Sequence, residues 1–226
     1  MTATNAVDDE CYARAIAESL DIVPEAIDWS GTPHVTDGAI AHYLWRRHRG
    51  RAAEVQDLAE MQQRFVALLR SELARAPGRF AAIAGAGALF PHLRRSGWHV
   101  ALATGAWRAS ATVKLHAAGV DITDVPLACA DDAESREDIV RCARRSAEAQ
   151  AGVTFSRVVS VGDAPWDVRT ARSLGLPFVG IGTGVRAERL RTEGAAIVAP
   201  DFSDPVAVLA ALTSAATPGG AARPPG

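Results

Sequence analysis

The chain has 226 residues, 24 Lys+Arg against 26 Asp+Glu, and 48% hydrophobic residues. That length suits one domain, or one domain with a sizeable insertion, and the mix of apolar and charged residues excludes wholesale disorder. A formal charge of −2 excludes a general binder of nucleic acid or anionic membrane, and no apolar run reaches the ~18 residues of a membrane span.

Residues 1–9 have neither the basic start nor the apolar stretch of a signal peptide. Residues 10–20 place Tyr12, Ile16 and Leu20 on one face at helical spacing. Residues 28–38 are polar, carry Gly31 and Pro33, and read as a loop. A further helix is expected over 39–47. Leu58, Met61, Phe65, Leu68 and Leu69 form the stripe of another. The basic run Trp45-Arg46-Arg47-His48-Arg49-Gly50-Arg51 ends the first of these two, and such runs are usually solvated helix ends. No strand-like run occurs in residues 10–75.

After Pro77-Gly78 the pattern changes. Short apolar runs at 98–103, 125–129, 158–161 and 178–181, with a candidate fifth at 195–198, read as strands. Helical segments near 107–118, 136–150, 166–174 and 185–192 separate them. Short buried strands alternating with helices predict βαβ units and a parallel sheet, with ligands at the carboxyl ends of the strands. The Pro-, Gly- and Ala-rich tail after Ala216 reads as disordered. Three cysteines without a C-x-x-C pair (Cys11, Cys129, Cys142) fit reduced thiols in the cytoplasm. Lys114 is the only lysine, so any chemistry that needs an amine has no other source.

The strand ends hold Thr104-Gly105, Asp131-Asp132 and Gly162-Asp163, with Asp167 following. Asp163 leaves its strand in the turn, and Asp167 falls in the first helical turn after Pro165. Two carboxylates there form a hard oxygen site for Mg²⁺, which takes one or two carboxylates with waters and phosphate oxygens. The alternative is a helix cap, with Asp167 favouring the positive end. Thr104-Gly105 supplies a hydroxyl and a backbone N–H that suit a phosphate oxygen, or an ordinary N-cap. Arg136 suits a phosphoryl group, or a solvated helix start among Glu134, Glu137 and Asp138.

In this order and spacing, Val100-Ala101-Leu102-Ala103-Thr104-Gly105, Ser135-Arg136-Glu137-Asp138-Ile139 and the run from Val158 through Gly162-Asp163 to Asp167 resemble the second, third and fourth motifs of the haloacid dehalogenase superfamily. The likeness spans about residues 80–200 and points to the helical-capped branch with phosphoglycolate phosphatases and β-phosphoglucomutases. It implies an α/β fold: a Rossmann-like three-layer core around a parallel sheet, with an all-helical cap. The expected division is an N-terminal remnant over 1–9, a cap over 10–78, a core over 79–214 and a disordered tail over 215–226. It also implies that Thr104 and Gly105 bind phosphate, that Arg136 takes the cationic catalytic role in place of the commoner lysine, and that Asp163 and Asp167 organise Mg²⁺.

The family's first motif, a strand ending in Asp-x-Asp-Gly-Thr, is absent from the sequence. By the resemblance this strand carries the aspartate nucleophile and the acid/base aspartate, and lies mid-sheet between the strands ending at Thr104 and Asp163. Removing it would leave buried unpaired backbone groups at roughly 1–3 kcal/mol each, against a typical net stability of ~5–15 kcal/mol. A chain start placed too far downstream is therefore favoured over a natural loss of the strand.

The expected function is Mg²⁺-dependent hydrolysis of phosphomonoesters on a small phosphorylated metabolite. The sequence as it stands is expected to be inactive. The expected setting is a cytoplasmic monomer or homodimer without nucleic-acid or membrane partners. A non-catalytic binding or regulatory protein is the rival reading, and a phosphomutase a lesser one. Phosphonatase chemistry is disfavoured because the cap has no lysine, and Lys114 reads as a surface residue. Thr104-Gly105 stands where dehalogenase-like members usually carry Ser-Asn. His34 and Asp37 in the cap loop are candidate substrate contacts that no spacing compels.

Overall fold

The computed structural model describes residues 1–29, 31–32 and 34–219. Ser30 and Pro33 of the predicted loop, and the part of the predicted tail from Gly220 on, lie outside the described residues. The chain forms two compact units: Met1–Ala82 with Ala101–Ala143, and Ile83–Val100 with Arg144–Gly226.

In the first unit, α1 (Asn5–Leu20), α2 (Asp37–Arg49) and α3 (Val55–Arg75) are helices because their apolar residues recur at one-turn spacing. Val7, Cys11, Ala15 and Ile16 of α1, Ala41, Leu44 and Trp45 of α2, and Met61, Phe65 and Leu69 of α3 form one core with Phe80 and Trp107. Tyr12 lies against Phe65 at 5.1 Å and Trp107 at 5.7 Å between ring centroids. The Thr36 hydroxyl accepts the Ala39 N–H at the start of α2. Gly50 ends that helix at φ 67°, a conformation that suits glycine, and donates its N–H to Arg46 O. The basic run thus occupies the last turn of α2, where cations suit the helix dipole.

The same unit holds β1 (Leu102–Ala103), α5 (Arg108–Ala117), β2 (Leu127–Ala128) and the start of α6 (Arg136–Ala151). β1 and β2 are parallel, in register Leu102 with Leu127. Ala128, Ile139 and Ala143 form a smaller core beside them.

The second unit contains α4 (Ala86–Arg95), β3 (Ser160–Gly162), α7 (Pro165–Ser173), β4 (Phe178–Ile181), α8 (Gly184–Thr192), β5 (Val198–Ala199) and α9 (Pro205–Ser214). Its sheet is parallel in the order β3-β4-β5. β4 is buried throughout, as a strand flanked on both sides should be. Val168, Ala171, Phe178, Leu190 and Ala195 pack together around it.

The fold is α/β, with a helical region and parallel strands each followed by a helix. The strands are shorter than the apolar runs that mark them, and they fall into two sheets rather than one. Among the described residues β1 pairs only with β2, and β3 only with β4. Ala103 of β1 is exposed, and Val161 of β3 is 45% exposed. Strands of parallel sheets rarely show water such a face.

Candidate functional site

Thr104 continues the ladder beyond β1, donating its N–H to Ala128 O at 3.0 Å. Its hydroxyl oxygen accepts the Ala106 N–H at 3.2 Å, which closes a tight turn. Gly105 must be glycine. A Cβ there would lie 2.5 Å from Arg136 Nη1, 2.8 Å from Val35 O and 3.4 Å from Thr36 Cα. The predicted trio of Thr104, Gly105 and Arg136 is therefore brought together, although Arg136 is distant in sequence. Arg136 opens α6 and donates from Nη1 to Val35 O at 3.0 Å. Its acidic neighbour Asp138 accepts from Ser135 Oγ and from Arg141.

The start of α5 is less open than an anion site built from helix N–H groups alone would be. Asp37 Oδ2 accepts the Trp107 N–H at 2.9 Å, and Asp131 Oδ2 accepts the Arg108 N–H at 2.6 Å. Asp37 is half-buried, and burial is the first cause that pushes its carboxyl up to about 7. Lys114 opposes that rise, Asp8 adds to it, the Trp107 N–H opposes it and Asp131 adds slightly. Asp131 and Asp132, at the second predicted strand end, serve structure. Asp132 accepts from Arg108 Nη2 and from the Cys129 N–H. Burial first, then the bonds to these aspartates, push the Cys129 thiol up to about 12, so it is not a thiolate nucleophile at neutral pH.

Lys114 corrects the sequence reading. It is not a surface residue: its side chain is 9% exposed, and Nζ donates to Asp8 Oδ1 at 2.6 Å.

In the second unit, Asp163 and Asp167 sit where predicted, at the end of β3 and in the first turn of α7. Pro165 opens that helix, where its missing N–H is no loss. Asp167 Oδ2 accepts the N–H groups of Asp163 and Ala164 at 3.1 and 3.2 Å, so the carboxylate folds back over the strand end. A Cβ on Gly162 would lie 2.5 Å from that oxygen. Asp163 Oδ2 pairs with Arg186 Nη1 of α8 at 2.8 Å. Burial, then the Asp167 charge, raise the Asp163 pKa above the carboxylate norm, and Arg186 opposes them.

This turn fits Mg²⁺. Two adjacent carboxylates with one guanidinium between them carry net negative charge, and a dication takes such hard oxygen ligands. Among the described residues no group of three or more His, Cys, Asp or Glu could hold a metal. The remaining ligands would be water and substrate oxygens.

Sequence reasoning missed Arg186 and the buried Lys114–Asp8 pair, and it offered Asp37 only as a candidate substrate contact, not as the partner of the Trp107 N–H. None of these carries a local signal, because each partner lies many residues away. No described helix is long and apolar enough to cross a membrane.

A family model of haloacid dehalogenase-like hydrolases matches residues 5–175. No curated protein matches. Among solved structures, a hydrolase from Pseudomonas syringae aligns with TM-score 0.65 and 19% identity, covering 93% of each chain. CbbY from Rhodobacter sphaeroides in complex with phosphate aligns with TM-score 0.58 and 19% identity, covering 94% of each. A predicted phosphoglycolate phosphatase from Haemophilus somnus aligns with TM-score 0.57 and 14% identity, over 89% of this chain and 92% of that one. At these identities the structural likenesses establish the fold, and the family match establishes membership: the chain belongs to the haloacid dehalogenase-like hydrolases.

Proposed function

We propose that this haloacid dehalogenase-like hydrolase acts on phosphomonoesters of small metabolites with Mg²⁺, in the cytoplasm, as a monomer or homodimer. The observation that carries the reading is the convergence of the Thr104 turn and the Arg136 guanidinium on Gly105. A hydroxyl and a positive charge brought together at a strand end are what a phosphoryl group needs. The phosphate held by CbbY supports the same substrate chemistry.

In this reading Thr104 donates its hydroxyl hydrogen to a phosphoryl oxygen, since its lone pair already serves Ala106. The missing side chain of Gly105 lets the Arg136 guanidinium and the Val35 carbonyl close against the turn. Arg136 keeps its charge at any working pH and balances the oxyanion. In the second unit Asp163 and Asp167 would hold Mg²⁺, with Asp167 fixed by two N–H groups and Asp163 paired with Arg186. Mg²⁺ held there would supply a hard dication for oxygen ligands.

Bond cleavage further requires a nucleophile. The family's Asp-x-Asp-Gly-Thr motif, which would supply it, is not in the sequence. The same absence favours a second reading, a phosphate-binding or regulatory protein that never turns over, and a mutase is a lesser variant of the first. Assay of p-nitrophenyl phosphate hydrolysis with Mg²⁺ separates them. The sequence as it stands should be inert, and a chain extended at its front by an apolar strand ending in Asp-x-Asp-Gly-Thr should turn over. Magnesium-dependent turnover without the extension would refute the inactivity. An inert extended chain, beside an active relative, would leave the binding reading standing.

A further inference from the structure

Residues 35–37 form a strap from the loop before α2 to both halves of the proposed phosphoryl site. Val35 O accepts Arg136 Nη1 at 3.0 Å, and Thr36 Oγ1 donates to Glu134 O at 2.9 Å. The Asp37 N–H donates to Gly105 O at 2.8 Å, and its carboxylate accepts the Trp107 N–H at 2.9 Å. Tyr12 Oη, from α1, donates to Asp37 O at 2.5 Å and holds the strap from behind.

We propose that Asp37 is a positioning residue for phosphate binding: it clamps the backbone on both sides of Ala106, so that the Thr104 hydroxyl and Gly105 are held facing Arg136. The proposal rests on the reading that Thr104, Gly105 and Arg136 take a phosphoryl group.

Three facts point to this role rather than to capping of α2. Thr36 already caps that helix through the Ala39 N–H, so the Asp37 side chain is not needed for it. The carboxylate reaches instead across 70 positions of sequence to Trp107, the residue just before α5. Its main-chain N–H meets Gly105 two residues earlier, so one residue grips the turn at both ends. A short turn gripped twice keeps one shape, and ligands bind more tightly to a site that need not be ordered on binding. A carboxylate beside an anion site is also unfavourable in charge. Its value there lies in the hydrogen bond, which an amide oxygen can supply equally well.

The test titrates the full chain with inorganic phosphate and follows the Gly105 and Trp107 amide resonances. Asp37→Ala should weaken phosphate binding about tenfold and move the Trp107 amide, from loss of one charge-assisted bond. Asp37→Asn keeps an acceptor oxygen and should bind within about threefold of the unaltered chain. Thermal unfolding of each variant reports any purely structural cost separately. If Asp37→Ala binds phosphate normally while Arg136→Gln does not, the positioning role is wrong and the phosphoryl reading stands. If Arg136→Gln binds normally, or the unaltered chain does not bind phosphate, the phosphoryl reading itself falls and takes the proposal with it. Should Asp37→Ala fail to fold, Asp37→Asn decides: a loss beyond tenfold would show that charge, not the acceptor, matters, and would overturn the clamp.

Discussion

The Thr104 turn and the Asp163 turn are built alike and held differently. Each follows a parallel strand, leads into a helix and contains a glycine with no room for a Cβ. The Asp163 turn is fixed largely from within, by Asp167 folding back onto the two preceding N–H groups. The Thr104 turn is fixed from far away, by Asp37, Asp131 and Arg136. A locally held turn survives changes elsewhere in the chain. A remotely held one keeps its shape only while the helical region stays in place, which ties anion binding to the integrity of α1 and α2.

The largest test of that difference is pH. Asp37 holds its proton up to about 7 in the folded chain, against 3.8 as its reference value. The folded state therefore binds more protons than the unfolded one between these values. Stability is greatest below about pH 4, falls as pH rises through about 7 and is level above. A shift of about three units is worth up to roughly 4 kcal/mol, and less where the group keeps some contact with water. Urea unfolding at pH 5 and pH 8 should show a smaller loss of stability in Asp37→Asn than in the unaltered chain. Equal losses would mean that Asp37 is already ionised at pH 5 and is not penalised by burial.

The glycines give a second contrast. At Gly105 the obstacles include main-chain atoms of the strap, Val35 O and Thr36 Cα. At Gly162 the nearest atoms all belong to Asp167: its carboxylate can rotate, but its Cβ, 2.5 Å away, moves only with the backbone of α7. Gly105→Ala should cost about 1–3 kcal/mol, in the range of overpacking, and should weaken phosphate binding. Gly162→Ala should cost a similar amount, because α7 must shift, and should displace the carboxylate and weaken Mg²⁺ binding. Denaturant midpoints and the two ligand titrations check both halves. Unchanged Mg²⁺ affinity in Gly162→Ala would show that the Asp167 carboxylate is not a ligand.

What the sequence disclosed follows the same line. Gly162-Asp163 and Asp167 were legible because proline, glycine and the carboxylates all act within one helical turn. Thr104-Gly105 was legible as a strand end, and Arg136 through motif order. Asp37 was not, because its partner is Trp107 and nothing in the spacing links them. Lys114 was misread because one lysine on a polar helix looks solvated, whereas Asp8 holds it inside. α4 has a clear stripe in Ala86, Leu89, Phe90 and Leu93, but Pro91 inside it argues against a helix. α9 is apolar on nearly every side, so its periodicity is weak, and only Asp204 and Pro205 mark its start. The parallel strands pair as β1-β2 and β3-β4-β5, divided between the strands ending at Thr104 and Asp163, where the resemblance puts the first strand that the sequence lacks.

The smallest effect concerns the one remote contact of the Asp163 turn. Arg186 arrives from α8 and pairs with Asp163 at 2.8 Å, with side chains 43% and 32% exposed. An ion pair so open to solvent contributes about 1 kcal/mol or less. If Asp163 ligates Mg²⁺ as proposed, Arg186 would compete with the ion for Oδ2. Arg186→Ala should tighten Mg²⁺ binding by about three- to fivefold in calorimetric titration, the equivalent of that pair. The gain should shrink at high salt, where the ion pair is already screened. A variant that binds Mg²⁺ no better at low salt would show that Asp163 is not a ligand. The turn would then be a capped helix start and nothing more, and Asp167, already committed to two N–H groups, would have only that structural task.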